Sequence, residues 1–281
     1  MIEQPVFEIY RDFLAQKSGL VVTPDKAYLL ESRLTPIVRK HELDGLKGLS
    51  EKISGFSPDR AIAKEVIEAM TTNETSFFRD QRPFDRLKDI VLPKMIETKA
   101  ATRKIRIWCA AASSGQEPYS IAIMLKEQQA LLNGWNVEII ATDIDDQILS
   151  QAQNAVYSQF EVQRGMPITL LVKYFTQEGD KWHLKDEIKN MVTFKNFNLL
   201  DQFMSLNGPF DIIFCRNVLI YFNEETKRQI FDKMHSVFNK DGYLFLGGAE
   251  TIMGITDKFV TMPEQRGIFI SKEASETSSA A

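Results

Sequence analysis

The stretch IRIWCAAASSGQEPYSIAIML, residues 105–125, decides the fold. Its first part, Ile105-Arg106-Ile107-Trp108-Cys109-Ala110, is a strand-like apolar run that ends in small residues. Pro118 then stands where a first helical residue is favoured, and Ile121, Ala122 and Leu125 share one face of the helix it opens. Between them, Ala111 to Glu117 is a turn of small residues in which Gly115 can take a positive φ. Working outward, Asn136 to Ala141 is a second apolar run, followed by Thr142-Asp143 and a helix from about Asp145. Val192 to Phe197, Asp211 to Cys215 and Gly242 to Leu246 read as three more strands, with an Asn223–Asn239 helix between the last two. Strands that alternate with helices predict a parallel sheet covered on both faces.

Before this unit, residues 1–78 lack strand alternation and read as a helical domain. Val6, Ile9, Tyr10, Phe13 and Leu14 mark one helix, and Tyr28, Leu29, Leu30 and Leu34 a second, which Pro36 should end or kink. A third is expected from Pro58 through Ala61, Ile62, Val66 and Met70. Residues 79–103 read as a linker and 104–271 as the α/β domain. Within it, residues 157–190 interrupt the alternation as a small β insertion, and the tail 272–281 is expected to be disordered.

The composition of the 281-residue chain excludes several classes. With 34 Lys+Arg against 38 Asp+Glu the net charge is −4, which argues against general nucleic-acid binding. No apolar run is long enough to span a membrane, and the N-terminus lacks the pattern of a secretory signal, so a cytoplasmic protein is expected. Two cysteines, Cys109 and Cys215, and 3 histidines do not suggest a disulfide framework or a metal site.

Ligands of open parallel sheets bind beyond the carboxyl ends of the strands. A glycine turn after the first strand and an acid, Asp143, after the second suit an adenosine-type ligand whose ribose hydroxyls the carboxylate accepts. A complete G-x-G-x-x-G pattern is missing, so the residues leave NAD and S-adenosylmethionine both open. Asp143 could equally cap the next helix. The segment Thr71-Thr72-Asn73-Glu74-Thr75-Ser76-Phe77-Phe78-Arg79-Asp80 is the most unusual in the chain. A capped helix start at Asn73 or Thr75 would explain its phenylalanines but not Arg79.

Taken together, TTNETSFFRD, AAASSGQEPYSIA, ATDID and CRNVLIYF resemble, in order and spacing, the chemotaxis receptor glutamate O-methyltransferases, the CheR family. The resemblance covers about Ile9 to Ile270. It implies a Rossmann-like S-adenosylmethionine-dependent methyltransferase domain with an all-helical N-terminal domain and a small inserted antiparallel β-subdomain. It further implies that Asn73, Thr75, Arg79, Glu117, Asp143, Asn198, Leu199, Asn217 and Val218 bind the cofactor. Arg79 and Tyr221 then become the catalytic pair: the guanidinium holds a carboxylate and the hydroxyl closes the pocket. Gln116 departs from relatives that often have Glu there.

The implied reaction makes glutamate methyl esters and S-adenosylhomocysteine. A glutamate side chain is already ionised near neutral pH, so no general base and no metal are required. The implied partners are the cytoplasmic methylation helices of chemoreceptors in membrane-bound arrays, with Arg33 and Arg39 of the second helix as basic contacts. The short connection around Gly179 resembles members that do not use a receptor's C-terminal pentapeptide. Nucleic acid and direct membrane insertion are not expected. The competing readings are a non-catalytic cofactor-binding sensor or scaffold, a nicotinamide-dependent oxidoreductase and a small-molecule methyltransferase.

Overall fold

The computed structural model describes residues 2–279. Four helices come first: α1 (Gln4–Ser18), α2 (Ala27–Lys40), α3 (Gly45–Ile53) and α4 (Arg60–Met70). They bury a core of their own around Tyr10, Leu14, Leu30, Leu34, Leu49 and Val66. Three details differ from the expectation. α2 runs through Pro36, with Leu34 and Ile37 buried on either side of it; Tyr28 is exposed; and α3 is a further helix, between the second and third expected ones. Asp59 caps α4, its side chain accepting from the Ala61 and Ile62 N–H groups.

Residues expected to be a linker are largely helical. α5 (Arg82–Arg86) passes through a π turn, Leu87–Val91, into α6 (Leu92–Thr98). Phe84, Leu87, Val91, Leu92 and Met95 bury one face of this segment against the sheet, at the i, i+3, i+4 spacing of an amphipathic helix.

Next come β1 (Lys104–Ala110), α7 (Gln116–Glu127), β2 (Asn136–Asp143) and α8 (Asp146–Asn154). The insertion holds β3 (Val156–Ser158), α9 (Gln159–Gln163), α10 (Ile168–Tyr174), β4 (Phe175–Glu178), β5 (Lys181–Leu184) and α11 (Asp186–Lys189). Its strands pair antiparallel in the order β3-β5-β4. The main sheet resumes with β6 (Val192–Asn196), β7 (Phe210–Cys215), α12 (Glu224–Ser236), β8 (Phe238–Leu246), β9 (Phe259–Thr261) and β10 (Ile268–Ser271).

The seven-stranded order is β6-β2-β1-β7-β8-β10-β9. β6, β2, β1, β7 and β8 are parallel, whereas β10 and β9 join antiparallel, so the all-parallel expectation fails at that edge. The tail was expected to be disordered, but β10 continues directly into α13 (Lys272–Ser279). The Lys272 N–H donates to the Lys258 carbonyl, which ties the start of that helix to the residue before β9. Residues 280–281 lie outside the described residues.

Period-two alternation along β1 sends Ile105, Ile107 and Cys109 to one face and Trp108 and Ala110 to the other. The first face packs on α5–α7 and on Tyr157, Phe175 and Leu184 of the insertion. Gly165 marks how closely the insertion approaches: a Cβ there would collide with the Phe77 carbonyl oxygen. Cys109 and Cys215 are buried free thiols whose pKa values burial pushes up. No helix among the described residues is long and apolar enough to cross a membrane.

Candidate active site

The chain order reverses between β1 and β7, so the loops after β1, β2 and β7 open a cleft at the carboxyl end of the sheet. The loop 71–79 covers it on one side. The end of α1 (Ser18, Leu20) and the Ile67–Met70 end of α4 close it from above.

Asp143 ends β2 and is 6% exposed. Its Oδ2 accepts the Ser113 N–H at 2.8 Å and its Oδ1 the Asp145 N–H at 3.1 Å. Burial raises its pKa, against the pull of those backbone donors. Capping of α8 belongs to Asp145, which accepts from the Gln147 and Ile148 N–H groups at 2.9 and 3.0 Å. Asp143 therefore lines the cleft as a buried acceptor rather than serving as a cap. The preceding turn needs Gly115 at φ 91°, since a Cβ there would meet the Tyr119 ring at 3.0 Å and Ala152 at 3.1 Å.

Asn73, Thr75, Arg79, Glu117, Asn217 and Val218 also line the cleft, as does Tyr221. No helix starts in the 71–80 segment; Phe77 and Phe78 enter the core, and Asn73 donates to Asp145 Oδ2 at 3.0 Å. Arg79 Nη1 donates to the Glu74 carbonyl at 2.7 Å, which holds its guanidinium at the cleft. Strain gathers here: Phe78, Gln81, Ala111, Ser113 and Asn217 all have φ between 44° and 60°. Such conformations cost about 1–3 kcal/mol each and cluster where the surroundings fix a functional geometry.

Two residues that hold this geometry have no role in the sequence reading. Arg216, with a side chain only 1% exposed, donates at 2.7 Å to both Glu117 Oε2 and Asp80 Oδ2, and at 3.0 Å to the Arg79 carbonyl. Its Nε is buried without a partner among the described residues. Burial pushes the Glu117 pKa up, and Arg216 opposes that rise. Glu250 is the second: its carboxylate accepts the N–H groups of Asn217, Val218, Leu219 and Gly247 at 2.7–2.9 Å. A run of converging backbone donors following a strand end is the signal for such an acid, but it is visible only in three dimensions.

Two expected cofactor contacts sit off the cleft, and the two expected receptor contacts lie on α2. Asn198 lies off the cleft, donating to the Lys17 carbonyl at 2.7 Å and accepting from the Leu200 N–H, and Leu199 is buried in the core of the second sheet face. Arg33 donates to the Met70 and Thr71 carbonyls at 2.9 and 2.7 Å, so its charge closes the end of α4 and fixes the start of the 71–79 loop. Arg39 is exposed on α2, outside the cleft.

The cleft suits a sulfonium nucleoside. It offers a buried acceptor at the end of β2, apolar walls from Ile67, Met70 and Ile144, and carboxylate and guanidinium groups from Glu117 and Arg79. With the sheet order, this defines the class: a Rossmann-like methyltransferase that binds S-adenosylmethionine. The sequence model described as "CheR methyltransferase, SAM binding domain" matches residues 73–268, and the chain belongs to that family. It is 40% identical over 267 residues to "Chemotaxis protein methyltransferase 1" of Pseudomonas aeruginosa, covering 93% of this chain and 96% of that one. To "Chemotaxis protein methyltransferase" of Vibrio parahaemolyticus it is 43% identical over 257 residues, 89% of this chain and 91% of that one. A relative in Borreliella burgdorferi with the same description is 37% identical over 262 residues, 91% of this chain and 89% of that one.

Proposed function

We propose that the protein methylates glutamate side chains on the cytoplasmic methylation helices of chemoreceptors, forming methyl esters. The observation that carries this reading is the state of the acids in the cleft. Glu117 is paired to Arg216, Asp143 is held by backbone N–H groups, and Glu74 is paired to Arg164 at 2.5 Å. Among the described residues, neither histidine nor lysine lines the cleft. With its carboxylates engaged, the site is built for an acceptor that arrives deprotonated, and an ionised glutamate meets that need.

S-adenosylmethionine supplies an activated methyl group on a sulfonium. The acceptor oxygen forms the new bond to that carbon as the sulfur–carbon bond breaks and its electron pair stays on sulfur, and no proton moves. Asp143 would accept the ribose hydroxyls, and Glu117 and Arg79, which line the same cleft, would hold the charged amino-acid end. Asn217 and Tyr221, fixed by Glu250 and by the Val21 N–H on the Tyr221 carbonyl at 3.0 Å, set the approach. Alignment and exclusion of water are the protein's contribution, worth roughly 7–11 kcal/mol in well-oriented systems.

The exposed Arg39 is the remaining basic contact of α2, since Arg33 is engaged within the chain. We also read the protein as independent of a receptor pentapeptide: the hairpin edge strand β4 has only 4 residues for a peptide to pair with. The protein would act in the cytoplasm at membrane-bound receptor arrays. Incubation with radiolabelled cofactor and receptor cytoplasmic fragments tests the main reading. Base-labile release of labelled methanol is expected, and label stable to base would point to a different acceptor atom.

A further inference from the structure

A second, larger cleft lies over the ends of β7 and β8 and the start of β10, the half of the sheet crest that the cofactor cleft leaves open. The two clefts share a wall: Arg216 and Asn217 line both, and Asp80, next to Arg79, borders the second. Besides Arg216, three arginines line this second cleft, Arg82 and Arg86 from α5 and Arg266 from the turn before β10.

Their charge is not balanced. Arg82 and Arg266 are exposed, and among the described residues neither side chain has a hydrogen bond or ion pair. Arg86 is half-buried, gives its Nη1 to the Arg266 carbonyl, and loses proton affinity through burial and through the neighbouring Arg82 charge. The acids that border the cleft are occupied, Asp80 by Arg216 and Glu250 by four backbone N–H groups. Gly247 and Gly248 leave the crest low, and Met253, 84% exposed, offers an apolar contact at the rim.

We infer that this cleft is the docking groove for the acceptor polypeptide, an acidic helical segment whose flanking carboxylates engage Arg82, Arg86 and Arg266. The target glutamate then enters the cofactor cleft at the Arg216–Asn217 border that the two clefts share. The inference rests on the reading under Proposed function and adds where the substrate lies. Unpaired guanidiniums beside a cleft match carboxylates in shape as well as charge, and they set register along a helix. Phosphate would satisfy the same donors, so the test separates the two.

The probe is a fluorescent helical peptide with glutamate along one face, beside its all-glutamine counterpart, titrated into the full chain. The glutamate peptide is expected to bind about tenfold or more tightly than the glutamine one. An Arg82→Glu/Arg266→Glu variant should lose about tenfold or more of that affinity and raise the receptor KM similarly, with S-adenosylhomocysteine affinity unchanged by calorimetry. Unchanged peptide affinity in a variant that still binds S-adenosylhomocysteine overturns the inference. So does equal binding of the two peptides, or displacement of the peptide by inorganic phosphate far more readily than by free glutamate. If the reversed charges prevent folding, Arg82→Gln/Arg266→Gln is read by the same measurements. Labelled ester on receptor with unaltered receptor KM in the variant defeats the docking inference alone. Charge-dependent peptide binding with no ester on any receptor fragment defeats the functional reading instead.

Discussion

Arg216 and Glu117 form a 2.7 Å ion pair beneath the cofactor cleft, with side chains only 1% and 13% exposed. The same guanidinium reaches Asp80 and the Arg79 carbonyl, so one buried cation ties α7 to the segment that carries Arg79. Arg216→Met should therefore cost about 3–5 kcal/mol of stability, because Glu117 is left charged and alone in a dry place. Adding Glu117→Gln should recover part of that loss. Denaturant unfolding of the single and double variants checks this; additive losses would mean that the pair is not coupled.

Glu250 fixes the loop that carries Asn217 and Tyr221. Glutamine in its place retains one acceptor oxygen and turns an NH2 group toward backbone donors. Glu250→Gln should then destabilise the chain by about 1–3 kcal/mol and lower kcat more than it raises KM for the cofactor. A kinetic assay at saturating S-adenosylmethionine distinguishes this from simple loss of cofactor affinity.

The strand positions and the glycine turn were legible because they rest on local signals: the apolar runs at Ile105, Val137 and Ile212, and the special backbone of Gly115. The 82–98 helix was not, because Pro83 and charged residues masked the spacing of Phe84, Leu87, Val91 and Met95, which is decided by packing on the sheet. Short strands β9 and β10 gain their order from antiparallel pairing with β8, a long-range effect. In the site, Asp143 could be read from its place after a strand. Arg216 and Glu250 could not, since each acts through partners that only the fold assembles. Asn198 and Arg33 show the reverse: both match expected contact positions, yet carbonyls of neighbouring elements hold their side chains.

Burial holds the Asp143 carboxyl above the ordinary value of about 3.9, and ribose hydroxyls donate to the ionised form. Binding therefore favours loss of the proton, and S-adenosylhomocysteine affinity should rise with pH through the raised pKa and then level off. Calorimetry across the mildly acidic range measures it. Asp143→Asn should flatten that rise and weaken binding throughout. A pH dependence that survives in Asp143→Asn would assign the titration to another group.

A receptor's C-terminal pentapeptide should show no calorimetric binding to the full chain, and removing it from a receptor should leave the methylation rate unchanged. The reason is geometric. Adding a strand at β4 requires a run of free backbone donors and acceptors, and this strand ends after 4 residues at the turn marked by Gly179. Micromolar binding would refute the reading that the protein is independent of the pentapeptide.

Arg79 separates two roles that a loss of activity alone would merge. Its Nη1 is anchored on the Glu74 carbonyl, leaving the rest of the guanidinium to face a carboxylate, either the acceptor's or the one on the cofactor. Arg79→Ala should lower kcat/KM by about a hundredfold to a thousandfold, the usual effect of removing one aligned donor from a developing charge. If the guanidinium holds the acceptor, S-adenosylhomocysteine affinity stays within a few fold and the loss appears with receptor. If it holds the cofactor's carboxylate, that affinity falls in parallel with activity. Arg79→Lys keeps the charge without the planar fork, so recovery of most activity in that variant would show that charge, not two-pronged geometry, is what the site needs.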